Sequence, residues 1–171
     1  MAATKAIVPE TYNMVMPYLR VRGASEAIEF YKKAFGAKKR LQLKMGDRIG
    51  HAELEIGGCV VMLADEFPEM GVVGPKALKG TTVTMCLYVA DVDKAISKAE
   101  AAGAKVLRPA ADMFYGCRSG QIEDPFGHVW MLQHEIEKVP AREMQKRMDK
   151  MMAEQAAAAT AAKPAGGKRK A

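Results

Sequence analysis

The chain has 171 residues, 49% of them apolar and 27% charged, which is enough for a sizeable core and excludes a disordered polymer. No apolar run reaches transmembrane length, and the start MAATKAIVPE lacks a secretory hydrophobic stretch. Cys59, Cys86 and Cys117 form no CxxC pair, so a disulfide framework and a zinc knuckle are not expected either. Most of the formal charge of +6 sits in an appendage: from Ile136 onward nine basic residues stand against four acidic ones, a net of +5, which leaves the body at +1.

In chain order, residues 14 to 22 alternate and are rich in β-formers, so they predict a strand. Ser25 is the expected N-cap of a helix through Phe35, with Ala27, Ile28, Tyr31, Ala34 and Phe35 as its apolar stripe and Gly36 as its stop. Strands are expected at about 38 to 45, 48 to 56 and 59 to 65, joined by Met45-Gly46-Asp47-Arg48 and by Gly57-Gly58. Residues 66 to 80, with two prolines and three glycines, predict a linker or mobile loop. A strand at 81 to 90, a helix from Val92 to Ala102 and strands near 105 to 112, 117 to 123 and 128 to 134 follow. Asp124-Pro125-Phe126-Gly127 is a turn. After Pro140 the strong helix formers predict one more helix, within 136–160, with Met144, Met148, Met151 and Met152 as an apolar stripe for a partner subunit, or else a frayed, solvated helix. Residues 161–171 are expected to be a disordered basic tail.

The order repeats. Leu19, Val21, Ala27 and Ile28 fall on Leu87, Val89, Ala95 and Ile96 at an offset of 68, and Gly58-Cys59-Val60-Val61-Met62-Leu63 falls on Gly127-His128-Val129-Trp130-Met131-Leu132 at an offset of 69. Two βαβββ modules, 12–66 and 81–135, are therefore expected to make one domain over 12–135. The fold class is α+β, a cupped mixed sheet around a ligand cavity, followed by the C-terminal helix and the tail.

The segments PYLRV at 17 to 21, AIEFYKKAFGA at 27 to 37, GHAELEIGG at 50 to 58, VMLADE at 61 to 66, LYVADVDKAISKAEAAGAKV at 87 to 106 and FYGCRSGQIEDPFGHVW at 114 to 130 resemble the vicinal oxygen chelate superfamily. That superfamily includes glyoxalase I, extradiol dioxygenases and bleomycin resistance proteins, and the likeness is to its PhnB-like branch. The resemblance implies two modules wrapped around a small-molecule cavity, in a homodimer. It also implies four metal-ligand positions, which fall here on Met16, Met62, Thr84 and Met131. None is an imidazole or a carboxylate, so no metal and no other cofactor is expected.

The expected ligand-binding residues are Met16, Tyr18, His51, Glu53, Met62, Thr84, Phe114, Tyr115, Arg118 and Met131. The thioethers offer a soft, adaptable lining, or are ordinary packing. His51 and Glu53 lie opposite the apolar face Ala52, Leu54 and Ile56, where they supply an acid–base pair to the cleft or a solvated strand face. Arg118 anchors an anion between Phe114 and Tyr115, or fixes its loop by pairing with Asp112 or Asp124. Cys117 beside Arg118 is a remote candidate for a reactive thiol. Trp130, opposite Met131, is expected in the core, and His128 and His134 need no chemistry.

The expected function is metal-independent binding of a small molecule, such as an antibiotic or aromatic metabolite that is sequestered. The alternative is a metal-free isomerase or lyase acting on a small oxygenated substrate, with His51 as acid and base. The protein is expected to be cytoplasmic, with no membrane and no nucleic acid among its partners.

Overall fold

The computed structural model describes residues 9, 12–13 and 15–161, with side chains through 158. Within the first repeat the elements are β1 (Tyr18–Val21), α1 (Ala24–Phe35), β2 (Lys38–Met45), β3 (Arg48–Ile56) and β4 (Cys59–Asp65). The second repeat contains β5 (Thr84–Tyr88), α3 (Val92–Ala101), β6 (Lys105–Asp112), β7 (Cys117–Glu123) and β8 (Val129–Glu135). A short α2 (Pro75–Leu78) lies between them, and α4 (Ala141–Ala161) follows. The fold is α+β, with one four-stranded sheet per repeat, ordered β1-β4-β3-β2 and β5-β8-β7-β6. In each sheet the repeat's first and last strands pair in parallel, Tyr18 with Met62 and Cys86 with Met131.

Three expectations change. The first strand of each repeat is shorter than expected: β1 does not fill 14 to 22, since Pro17 precedes it and has no N–H to offer a ladder, and β5 covers only Thr84–Tyr88 of 81 to 90, ending where its parallel pairing with β8 ends. Ser25 does not cap α1: Gly23 occupies the cap position in a left-handed conformation, and Asp65 Oδ1 accepts the Gly23 and Ala24 amides at 3.0 and 2.8 Å. The segment 66 to 80 is not a bare linker. It carries a 3-10 turn (Pro68–Met70) and α2, and Glu66 Oε1 accepts the Gly74 amide at 2.8 Å. A Cβ on Gly74 would stand 2.4 Å from the Arg20 carbonyl oxygen, so the loop's approach to β1 requires glycine. The tail from 162 onward lies outside the described residues.

The chain divides into two compact units. The larger holds the described residues up to Ala111 with Ser119–His134, and the smaller holds Asp112–Arg118 with the described residues from Glu135. In the larger, one core draws on both repeats: Val21, Tyr31, Leu54, Leu63, Val92, Ile122 and Leu132 are fully buried. Trp130 is buried too, its ring 4.7 Å from Phe35 and 5.5 Å from Tyr31. Asp124 joins the repeats. Its buried carboxylate accepts the Tyr31 hydroxyl at 2.7 Å, the Trp130 indole N–H at 2.9 Å and the Phe126 and His128 amides at 2.9 Å each. Burial, then the Asp124 charge, pushes the Tyr31 phenol well above its ordinary pKa.

Candidate functional site

Strand register places the chemistry on the first sheet, because cross-strand partners share a face. Tyr18 stands opposite Met62, Met62 opposite Glu53 and Glu53 opposite Leu41, while His51 stands opposite Leu43 in the next row. The other face carries Ala52, Leu54 and Ile56, all buried in the core, as the alternation along β3 requires.

On this face a chain of hydrogen bonds joins residues far apart in sequence. The Tyr18 hydroxyl lies 2.8 Å from His51 Nδ1, His51 Nε2 lies 3.3 Å from Glu53 Oε1, and the Tyr12 hydroxyl donates to Glu53 Oε1 at 2.5 Å. Glu53 is buried, His51 half-buried, and Tyr18 stays 40% exposed at the open end. The Tyr12 hydroxyl, with a smaller contribution from His51, holds the Glu53 carboxyl below its ordinary range despite the cost of burial. The same bond to Glu53 raises Tyr12.

The Arg20 guanidinium stacks over the Tyr18 ring at 4.1 Å, and that of Arg40 lies 5.1 Å from the Tyr12 ring centre. Tyr18 and Arg20 form one wall of a cavity of about 550 Å³. The inter-repeat segment supplies another wall through Pro75, Leu78, Thr81 and Thr82. Glu66 steadies that segment at Gly74 and also binds Arg22 Nε at 3.0 Å. These contacts, the Gly74 amide foremost, lower its pKa.

Of the expected site residues, Tyr18, His51, Glu53 and Met62 come together on this face, and half-buried Met16 lies just before β1. Thr84 and Met131 share the corresponding face of the second sheet, where Cys86 pairs with Met131 and accepts the Gln133 side-chain amide at 3.1 Å. Phe114, Tyr115 and Arg118 belong to the smaller unit. There the two rings meet edge to face at 5.2 Å, and Arg118 pairs with Asp112 at 2.8 Å, the loop-fixing alternative. Cys117 is buried, which removes it as an accessible thiol. In the same unit Arg147 binds Glu137, Glu143 and the Phe114 carbonyl, and it lowers the Glu137 pKa.

His128 and His134 serve the backbone: His128 Nε2 lies 3.1 Å from the Arg20 carbonyl oxygen, and His134 Nδ1 accepts the Val92 amide at 3.2 Å. Sequence reasoning missed Tyr12, Arg20 and the Thr81-Thr82 wall. Arg20 was accessible to it, being two residues from Tyr18 on the same strand face.

The residues that the resemblance assigns to metal positions do not fit a divalent N/O site: Met16, Met62 and Met131 offer thioethers and Thr84 a hydroxyl. Among the described residues no group of three or more His, Cys, Asp or Glu side chains is arranged to hold a metal, and no helix is long and apolar enough to cross a membrane.

An uncharacterized protein of Mycobacterium bovis is 40% identical over 136 residues, covering 77% of this chain and 90% of its own. The solved structure of an Arabidopsis thaliana gene product is 26% identical, with a TM-score of 0.58 over 75% of this chain and 100% of that one. That of TioX from Micromonospora sp. ML1 is also 26% identical, with a TM-score of 0.58 over 72% of this chain and 98% of that one. Residues 11–132 match the profile of the Glyoxalase/Bleomycin resistance protein/Dioxygenase superfamily, and the chain belongs to that superfamily.

Proposed function

We propose that the protein is a metal-independent small-molecule binder of the PhnB-like type, holding an antibiotic or aromatic metabolite against the open face of the first sheet. The observation that carries this reading is the Tyr18 wall: an exposed aromatic ring, a guanidinium stacked on it and a flexible thioether across from it, beside a cavity of about 550 Å³. Such a wall suits a flat ligand with an anionic or strongly polar edge. A homodimer accompanies the reading, supported by the exposed apolar side chains Val15, Val83 and Tyr88 at or beside edge strands β1 and β5.

The test is a thermal-shift screen with equilibrium dialysis against planar antibiotics and aromatic metabolites, run after metal analysis and light scattering. Saturable binding to metal-free protein, weakened by Arg20→Ala, supports the reading. Absence of binding across the panel, or a stoichiometric divalent metal, overturns it.

A second reading, a metal-free isomerase or lyase on a small oxygenated substrate, is favoured by the Tyr18–His51–Glu53 chain. Turnover of such a substrate, lost in His51→Ala with the fold intact, would establish it.

A further inference from the structure

In that second reading the histidine is the obvious acid–base group, but both of its ring nitrogens are already engaged, Nδ1 by Tyr18 and Nε2 by Glu53. The polarity of the chain follows from its far end. Glu53 is held ionised by the Tyr12 hydroxyl, so it accepts, and His51 Nε2 carries the proton that faces it. In a neutral imidazole the other nitrogen is then an acceptor, and the Tyr18 hydroxyl donates to it. The Tyr18 oxygen keeps lone-pair capacity for a further partner beside the cavity, and the Arg20 guanidinium is stacked over the ring that carries it.

We propose that Tyr18 is the catalytic residue that meets the substrate, with His51 and Glu53 as positioning residues behind it, and that the substrate is a small neutral molecule with a weakly acidic O–H or C–H bond. In the step, the substrate's X–H bond breaks and its proton passes to the Tyr18 oxygen. The Tyr18 hydroxyl proton moves to His51 Nδ1, and the electron pair stays on the substrate as an alkoxide or enolate. The imidazolium is matched by the Glu53 carboxylate, the anion by Arg20, and no oxidant or metal enters the balance. The proposal rests on the enzymatic reading for its substrate, but the chain itself can be tested without one.

The probe is phenylmethanesulfonyl fluoride. The Tyr18 oxygen forms a bond to sulfur, the S–F bond breaks with loss of fluoride, and the phenol proton goes to His51. Mapped by mass spectrometry on the full chain, Tyr18 should be modified at least about tenfold faster than free N-acetyltyrosine amide in the same solution, and His51→Phe and Glu53→Gln should each remove that advantage. Glu55→Gln, two residues along the same strand and paired with Lys38, should retain it.

Nitrogen NMR of His51 supplies the readout a merely structural role would not move: a protonated Nε2 and an unprotonated Nδ1 in the wild type, with the preference lost in Glu53→Gln. Circular dichroism confirms that each variant is folded. Labelling of Tyr18 no faster than of N-acetyltyrosine amide, labelling indifferent to His51, or a protonated Nδ1 in the wild type overturns the proposal. None of these outcomes bears on whether the face binds a ligand, which the dialysis experiment reads separately.

Discussion

The two repeats share a register but not a chemistry. Tyr18, His51 and Glu53 in the first correspond to Cys86, Ser119 and Gln121 in the second, so a titratable chain faces three groups with no carboxylate or imidazole. Ser119 is committed elsewhere, fully buried with its hydroxyl on Arg108 Nη2 at 3.1 Å. The helix starts differ in the same manner. Gly23 has no side chain to cap α1, and Asp65 at the end of β4 takes over. Its counterpart Asp91 caps α3 itself by accepting the Lys94 amide at 3.0 Å. Duplicated frameworks thus keep the positions of their hydrogen-bond demands while changing which residue meets them.

The shared core can be broken most severely at Asp124. Asp124→Ala strands the Tyr31 hydroxyl and the Trp130 indole in an apolar interior, and denaturant titration should show a loss of about 3–5 kcal/mol. Next comes Gly74→Val, where the clash with the Arg20 carbonyl should cost about 1–3 kcal/mol and displace the loop wall of the cavity. The caps give the direct contrast. Asp65→Ala abandons the Gly23, Ala24 and Ile49 amides and should cost about 2 kcal/mol, whereas His134→Ala frees only the Val92 amide and should cost about 1 kcal/mol or less. Equal losses would dissolve the comparison.

The smallest effect is one of pH. Glu53 and Glu66 have pKa values below the ordinary 4.5, so their contribution to stability is complete above that value and fades as pH falls through the lowered ones. Melting temperatures between pH 6 and pH 3 should decline progressively, and Glu66→Gln, which acts only within the first repeat and its loop, should flatten the slope. A wild-type curve already flat across that interval would contradict the assignment.

The element boundaries were legible because local chemistry sets them: glycine turns at 46 and 57–58 delimit three strands, and Gly36 stops α1. The site face was legible in part, since period-two alternation separates His51 and Glu53 from Ala52 and Leu54. What alternation cannot convey is partnership. Tyr18 reaches His51 across 33 positions and Asp65 caps a helix 41 residues earlier through strand pairing that closes only in the fold, and Tyr12, ahead of the first strand, reaches Glu53 across 41. The shift of the repeat offset from 68 to 69 has an equally plain cause. The β3–β4 turn closes between Ile56 and Cys59, whereas the corresponding turn closes between Asp124 and His128, one residue longer.

The segment between the repeats, pinned at Gly74 and by Glu66, faces the Tyr18 cavity without belonging to either sheet. On the proposed readings, admission to the cavity and the chemistry of the Tyr18 face would therefore rest on separate stretches of chain. Lengthening or recomposing the stretch from Pro75 to Thr82 would retune which molecules are admitted while leaving the strand chemistry intact. A duplicated scaffold with such a detachable gatepost can diversify its clientele by loop exchange alone, long before any strand residue has to change.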